Sequence, residues 1–266
     1  MKKKVLKFTF LLFAVAFAFS SCLGDGENKV EVSEDFVYVY SENGLVNYGF
    51  TLNAGGSCSA QEFQQYSAGT CLLMGYKITG NQTNKANLED VNIRKVFPAS
   101  DQARLIEATA PTDVDPNEIF PSSLTLSFMY AANYYGDRFL FAPVYYMADG
   151  TKVRARFYYD ADAQTEGENA TPIAKNRAII DVRFIKEVEA SGSSISKTEE
   201  FVADFSNLRD ILTRNDVVEY SNNAATVSLK FKYRKLRSTS NTTEYDDQTL
   251  GTFGSTSDFQ LYFSKE

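Results

Sequence analysis

The 266-residue sequence contains no histidine and no tryptophan, only three cysteines and only six prolines. Without an imidazole, the chain cannot form a Ser-His-Asp triad, a Cys-His nucleophile pair, a His-ligated zinc site or a zinc protease of the HExxH type. Its formal net charge is −7. Nucleic-acid-binding proteins carry a basic excess that displaces counterions, so we expect no nucleic-acid partner.

The N-terminus has the features of an export signal. Four lysines within the first seven residues precede the uncharged segment Phe8–Phe19. This segment has the length of a secretory h-region and is too short to cross a bilayer. Two serines then precede Cys22, as in bacterial lipoprotein signals, where such a cysteine is diacylated and becomes the mature N-terminus. The sequence therefore predicts a signal peptide over residues 1–21, lipidation of Cys22 and a flexible tether over residues 22–34; ordinary cleavage with an unmodified thiol is the alternative.

Membrane attachment is expected through the acyl chains alone. Removal of the leader takes away four lysines and no acid, so the mature chain carries 23 basic and 34 acidic residues. Docking onto anionic lipid requires clusters of Lys or Arg near the membrane, and the mature chain shows none at its start. We expect a lipid-anchored protein of the bacterial outer membrane, on either the periplasmic side or the cell surface.

Two cysteines, Cys58 and Cys71, remain once Cys22 is converted to a thioether. An even pair in an oxidising compartment favours a disulfide. Both residues lie at the ends of strands that we expect to be neighbours, and a bridge would contribute about 3 kcal/mol in the chain-entropy model. The alternative is a pair of buried thiols that do not meet.

The mature chain has the sequence pattern of an all-β protein in two domains. Residues 35–107 contain four β-branched and aromatic segments and one short helical segment, which suits a small OB-like barrel. Residues 108–121 hold three of the six prolines and are predicted to be a linker. Residues 122–266 alternate between apolar and polar positions, the pattern of an antiparallel β-sandwich with one wet face. A single short helix is expected at Ser206–Asn215, with Ser206 as its cap.

Three segments of the first domain carry a resemblance to a known family. They are Tyr48–Asn53, Gly69–Thr79 and Val91–Val96, and they stand between a lipoprotein signal and a proline-bearing linker. In this order the sequence resembles the NigD-like lipoproteins of the Bacteroidetes. The resemblance implies an N-terminal OB-fold domain, a C-terminal β-sandwich and a bacteriocin immunity-type role. It supplies no catalytic residues.

Basic and aromatic side chains on the second domain are the candidate ligand contacts. Two predicted strands place three basic residues each on their solvent side, and if these strands share a sheet they form a positive face for an anionic glycan. The alternative is a solvated face neutralised by acidic neighbours across the strands. Tyrosine doublets direct one ring outward, which suits stacking on a sugar or peptide, although core and rim aromatics give the same pattern. The candidate residues are Lys152, Arg154, Arg156, Lys230, Lys232, Arg234, Tyr146 and Tyr158.

No cofactor or metal site is expected. Asp160, Asp162, Glu166 and Glu168 could gather around calcium, but they lack the spacing of an EF-hand loop and indicate a solvated acidic loop. We therefore expect a non-enzymatic, lipid-anchored module that binds a protein or a glycan. Two alternatives stay open: a bacteriocin immunity-type factor and a carboxylate-dependent glycan hydrolase.

Overall fold

The computed structural model describes residues 29–82, 85–127, 135–167, 169–239, 241–253 and 259–265. These residues form a closed five-stranded barrel, a large ten-stranded sheet and a two-stranded sheet, which confirms the all-β class. The predicted signal peptide and Cys22 lie outside the described residues. Within the described residues, no helix is long and apolar enough to span a membrane.

The barrel closes in the order β1-β2-β3-β5-β4. All its neighbouring strands are antiparallel except β3 and β5, and a short 3-10 helix at Gln61–Gln65 joins β3 to β4. Phe63 of this helix is fully buried, and a Cβ at Gly49 would come within 2.7 Å of its ring. Glycine at this position thus lets the helix pack onto the barrel, as in the predicted OB-like domain. The strands are β1 Val30–Glu42, β2 Val46–Thr51, β3 Gly56–Ser59, β4 Cys71–Gln82 and β5 Lys85–Phe97.

The second domain contains the remaining strands and the one α-helix of the described chain. The helix is shorter than predicted, and its cap residue Asn207 makes no side-chain capping bond, so Ser206 is not the cap. The elements are β6 Ala103–Glu107, β7 Ser123–Ser127, β8 Arg138–Ala148, β9 Lys152–Tyr159, β10 Thr165–Glu166, β11 Thr171–Pro172, β12 Arg177–Val188, β13 Ser194–Thr198, β14 Phe201–Asp204, α1 Leu208–Arg214, β15 Ala224–Ser238, β16 Asn241–Leu250 and β17 Phe259–Ser264.

The large sheet folds back on itself into two layers. Its strand order is β13-β8-β14-β6-β9-β12-β15-β16, with β7 beside β8 and β17 beside β15. Phe141 on β8 packs 4.9 Å from Phe157 on β9 and 5.0 Å from Phe231 on β15, measured between ring centroids. The two halves of the sheet therefore face each other across one core, as a sandwich requires. Most pairings are antiparallel, but β6–β9, β6–β14 and β12–β15 are parallel because long connections return the chain in the same direction.

The domain boundaries differ from the predicted ones at both ends of the barrel. Val30 already pairs with Ile78, so the tether predicted over residues 22–34 gives way to strand β1 at its last five residues. Strand β6, assigned from sequence to the barrel, pairs with β9 and β14 in the large sheet. The barrel therefore ends at Phe97, because the next strand finds its hydrogen-bond partners in the second domain.

Residues 108–121 were predicted to be a linker between the domains, and this is wrong. They follow β6 and pass over the outer face of the large sheet, where Arg234 donates to the carbonyls of Pro111 and Thr112. They end in the sheet beside β12, where Glu118 forms an antiparallel bridge with Ile185. Ile119 donates its backbone N–H to Phe184 (2.9 Å), Lys186 donates to Asn117 (2.8 Å), and Phe120 is buried. The prolines prevent a regular strand, yet the backbone is held in place by the sheet. We call residues 108–121 the covering segment.

The two domains share a packed interface. Phe36 and Leu73 of the barrel cluster with Tyr135, Leu140 and Val202 of the sandwich. The outer face of β8 is thus buried by the barrel at Leu140, while its inner face enters the sandwich core. Polar contacts flank this cluster, including a bidentate pair between Arg94 and Glu200 (2.7 and 3.1 Å) and an ion pair between Arg138 and Asp204 (3.0 Å).

The predicted disulfide between Cys58 and Cys71 is absent, and both thiols are free and buried. Their strands, β3 and β4, are consecutive in sequence, but β5 lies between them in the barrel. Cys58 pairs with Ala86 of β5, whereas Cys71 pairs with Phe97, eleven residues further along the same strand. The Cys58 side chain packs in the barrel core and the Cys71 side chain in the cluster between the domains, so the two thiols do not face each other as a bridge requires. Burial raises the pKa of both thiols, to about 12 for Cys58.

Among the described residues of the barrel, the buried carboxylate is that of Asp35. It accepts hydrogen bonds from the hydroxyls of Thr51 and Tyr76 and from the backbone N–H of Phe36 (2.9 Å). Burial outweighs these bonds and raises the pKa of Asp35 above its ordinary value of 3.8. The folded protein therefore holds this proton at pH values where the unfolded chain has released it.

This shift predicts a pH dependence of stability. Because the folded pKa of Asp35 is raised, its favourable contribution is present below the unfolded pKa and is lost as the pH rises through the folded value. Relative to Asp35→Asn, which does not titrate, the wild-type free energy of unfolding should fall as the pH rises from about 4. Urea unfolding of both proteins at several pH values measures this difference. A difference that is constant with pH, or that rises, contradicts the assignment.

Candidate functional site

Four arginines form a row across the outer face of the large sheet. Arg156 on β9 pairs directly with Arg183 on β12. Arg104 on β6 and Arg156 each stand one position before the paired residues Leu105 and Phe157. Arg183 and Arg234 likewise each follow the paired residues Val182 and Tyr233. The row is therefore Arg104, Arg156, Arg183 and Arg234, on four adjacent strands.

Such a row is unfavourable without anions. Adjacent strands lie about 4.8 Å apart, so like charges stand opposite each other. The protein is acidic overall, with 34 Asp and Glu against 27 Lys and Arg. A concentration of cations on one face therefore requires a local explanation.

The covering segment neutralises one half of the row. Glu118 lies 2.7 Å from Arg234 and 3.7 Å from Arg183, and the three side chains are almost fully buried. Arg234 also donates to the backbone carbonyls of Pro111 and Thr112. A buried carboxylate thus binds two guanidinium groups of the row and fixes the segment over them.

Arg104 and Arg156, the other half of the row, are exposed. They line a groove of about 570 Å³ between the Ala99–Gln102 loop, β6, β9 and β14. Arg154 also lines the groove and is paired with Glu187 (3.0 Å). Over the described ranges, neither Arg104 nor Arg156 has an ion pair with an acidic residue.

The groove has firm walls. Gln102 is buried and donates to the carbonyls of Gly69 (2.8 Å) and Phe97 (3.0 Å), while Arg138 donates to its side-chain oxygen (3.1 Å). These bonds fix the loop that forms one wall. In the strand register, Arg104 of β6 pairs with Asp204 of β14, and Arg156 of β9 pairs with Arg183 of β12, so each strand is held on the side away from the groove.

The six predicted basic residues lie on one sheet, because β9 and β15 both flank β12. They do not form one open positive face. Lys230 is buried, pairs with Glu166 and stacks 4.3 Å over Phe253, and Arg234 is covered as described above. Lys232 is half-buried opposite Asp181. Only the β9 residues Lys152, Arg154 and Arg156 are exposed, and of these Arg154 and Arg156 reach the groove.

The predicted tyrosines do not form a common platform. Tyr158 lies on the same outer face as the arginine row but is only 8% exposed. Tyr146 lies on β8, in the opposite layer, and pairs with Ser196 of β13. Because the two layers present their outer faces in opposite directions, the two rings cannot contact one ligand.

Three residues of the site were not among the sequence candidates: Arg104, Arg183 and Glu118. The sequence assigned Arg104 to the barrel. The alternation of Ala103–Glu107 nevertheless places Arg104 on the face of the strand that points away from the apolar Leu105. Glu118 lies in a proline-bearing segment whose path over the sheet has no sequence signature. The acidic loop candidates are used internally, since Asp160 accepts a hydrogen bond from Thr109 and Glu166 binds Lys230; Glu168 lies outside the described residues.

Two solved structures resemble this chain along most of its length. An uncharacterized protein from Parabacteroides merdae aligns with a TM-score of 0.63 at 12% identity, over 88% of this chain and 99% of its own. A Bacteroides fragilis protein described as a candidate lipoprotein aligns with a TM-score of 0.54 at 7% identity, over the same shares. At these identities the likeness shows the fold alone. No family model and no curated protein matches the chain.

The buried carboxylate predicts a large effect of one substitution. Glu118→Ala should lower the free energy of unfolding of the second domain by about 3 kcal/mol, because it removes the carboxylate that pairs with the buried Arg234 and leaves Arg183 with Asp181 as its acidic partner. Glu189→Ala is the matched control, since Glu189 is exposed and its pair with Lys186 contributes less than about 1 kcal/mol. Urea unfolding monitored by tyrosine fluorescence measures both. Equal effects of the two substitutions would contradict the role of Glu118.

Proposed function

We propose that this protein is a lipid-anchored envelope protein of the NigD-like type that binds a ligand in the groove between β6 and β9, without catalysing a reaction. The exposed pair Arg104 and Arg156 carries the proposal. Glu118 neutralises the other two arginines of the row, Arg183 and Arg234. Arg104 and Arg156 instead face a groove whose size suits small ligands.

The anchor is supported independently of the groove. The basic leader, the uncharged segment and the cysteine after two serines match a lipoprotein signal. The likeness to a candidate lipoprotein of Bacteroides fragilis agrees with this assignment. The barrel follows seven residues after Cys22, a span of at most about 25 Å, so the protein would stay close to the membrane surface.

Binding is favoured over catalysis by the chemistry of the groove. Its charged groups are arginines, Asp101 and Glu187, and Arg154 already binds Glu187. Arginine stays protonated and cannot act as a general base at neutral pH, but its planar fork suits oxyanion recognition. The groove is therefore equipped to hold a ligand rather than to move protons.

The experiment is an array measurement with the mature lipoprotein, purified in nonionic detergent from the membrane fraction of expressing cells. The array carries neutral and acidic oligosaccharides. We expect retention by a subset of them, and loss of that retention in Arg156→Glu, which reverses the charge in the groove. Lys152→Glu is the matched control, because Lys152 is exposed on the same strand but does not line the groove.

Two results would contradict the proposal. One is a wild-type protein that retains no oligosaccharide, and the other is retention that Arg156→Glu leaves unchanged. On the same preparation, incorporation of labelled palmitate that is abolished by Cys22→Ala checks the anchor.

A further inference from the structure

The covered half of the arginine row shows how this surface binds an acid. Glu118 places one carboxylate against Arg234 (2.7 Å) and Arg183 (3.7 Å), on two adjacent strands. Arg104 and Arg156 repeat this arrangement on the next two strands, at the same level of the sheet. Among the residues that the structure describes, no acidic side chain forms an ion pair with Arg104 or Arg156, so the open half is matched to the carboxylate of a ligand.

The remaining lining of the groove suits hydroxyl groups. Asp101 and Glu187 present carboxylate oxygens and Ser100 a hydroxyl, all of which accept hydrogen bonds. Ile106 is 41% exposed and offers an apolar surface beside them. A sugar ring has this combination of hydroxyl donors and an apolar C–H face.

The charge of the protein limits the size of an anionic ligand. A large polyanion would be repelled by the net negative charge, which favours a short ligand with few carboxylates. Over Lys152–Arg156, β9 pairs with β12, whereas its pairing with β6 begins only at Phe157. A short acidic peptide added along this edge is therefore the competing ligand.

We propose that Arg104 and Arg156 bind the carboxylate of a uronic acid residue in a short oligosaccharide, whose hydroxyls donate to Asp101 and Glu187. This inference rests on the proposed function, because it names the ligand of the same groove. The sequence predicted a general positive face that included Lys230 and Arg234. The contact is now assigned to two arginines, one of them on β6, and Lys230 and Arg234 are excluded because they are covered.

Isothermal titration calorimetry of the mature lipoprotein in nonionic detergent tests the assignment. The probes are α-1,4-trigalacturonate and the matched neutral α-1,4-galactotriose, which carries hydroxymethyl groups in place of the carboxylates. Triglutamate supplies the same carboxylate chemistry on a peptide. We expect binding of trigalacturonate, and binding at least about tenfold weaker for galactotriose and for triglutamate.

The variants test whether binding depends on contacts of these two arginines or only on positive charge near the groove. Arg104→Gln and Arg156→Gln should each weaken trigalacturonate binding about tenfold, whereas Lys152→Gln should change it less than about threefold. Arg156→Lys keeps the charge but loses the planar fork, and should fall between wild type and Arg156→Gln. Thermal unfolding curves of the variants check that each is folded.

The outcomes distinguish this inference from the proposed function. Equal binding of galactotriose and trigalacturonate, stronger binding of triglutamate, or insensitivity to both glutamine variants would overturn the uronate assignment. If the array still shows retention of a neutral oligosaccharide that Arg156→Glu abolishes, the groove remains a binding site and only the carboxylate assignment falls. If neither the array nor calorimetry detects binding, both the uronate assignment and the proposed binding function are contradicted.

Discussion

The outer face of the large sheet depends on one buried carboxylate. Glu118 lies between Arg183 and Arg234 and compensates these two buried cations, together with Asp181 beside Arg183 and backbone carbonyls of the covering segment beside Arg234. Buried ion pairs give little net stability compared with apolar packing, but the loss of one partner is costly. The segment is consequently fixed in place, and its position decides which half of the arginine row is covered and which half faces solvent.

The interface between the domains gives this surface a rigid support. The barrel covers the outer face of one layer of the sandwich around Leu140, and the covering segment lies over Arg234 on the outer face of the other layer before it joins the sheet beside β12. The groove lies near the edge where the two layers join, beside a loop that Gln102 fixes to the barrel. Rigid walls reduce the conformational entropy that the protein loses when a ligand binds, which suits a site whose contacts are few and polar. The same support makes the barrel part of the site although it contributes no charge to it.

The sequence predicted the strands well and the site in part. Alternation placed Arg154 and Arg156 on the solvent side of β9 because one face of that strand is apolar. It could not show that Arg234 and Lys230, with the same alternation, are buried, since their acidic partners Glu118 and Glu166 lie far away in the chain. The disulfide prediction failed for a related reason. Strand order in a barrel is set by long-range pairing, and β5 separates two strands that are neighbours in sequence.

The central claim is that Arg104 and Arg156 stand next to each other on β6 and β9, and that no acidic residue of the described part of the chain forms an ion pair with either. A double-mutant cycle with Arg104→Gln and Arg156→Gln, measured by urea unfolding without ligand, tests it most directly. We predict an unfavourable coupling between the two arginines on the order of 0.5 kcal/mol, which weakens as salt is added. A coupling that is zero or favourable at low salt would contradict the claim, because it would mean that the protein itself already neutralises the pair.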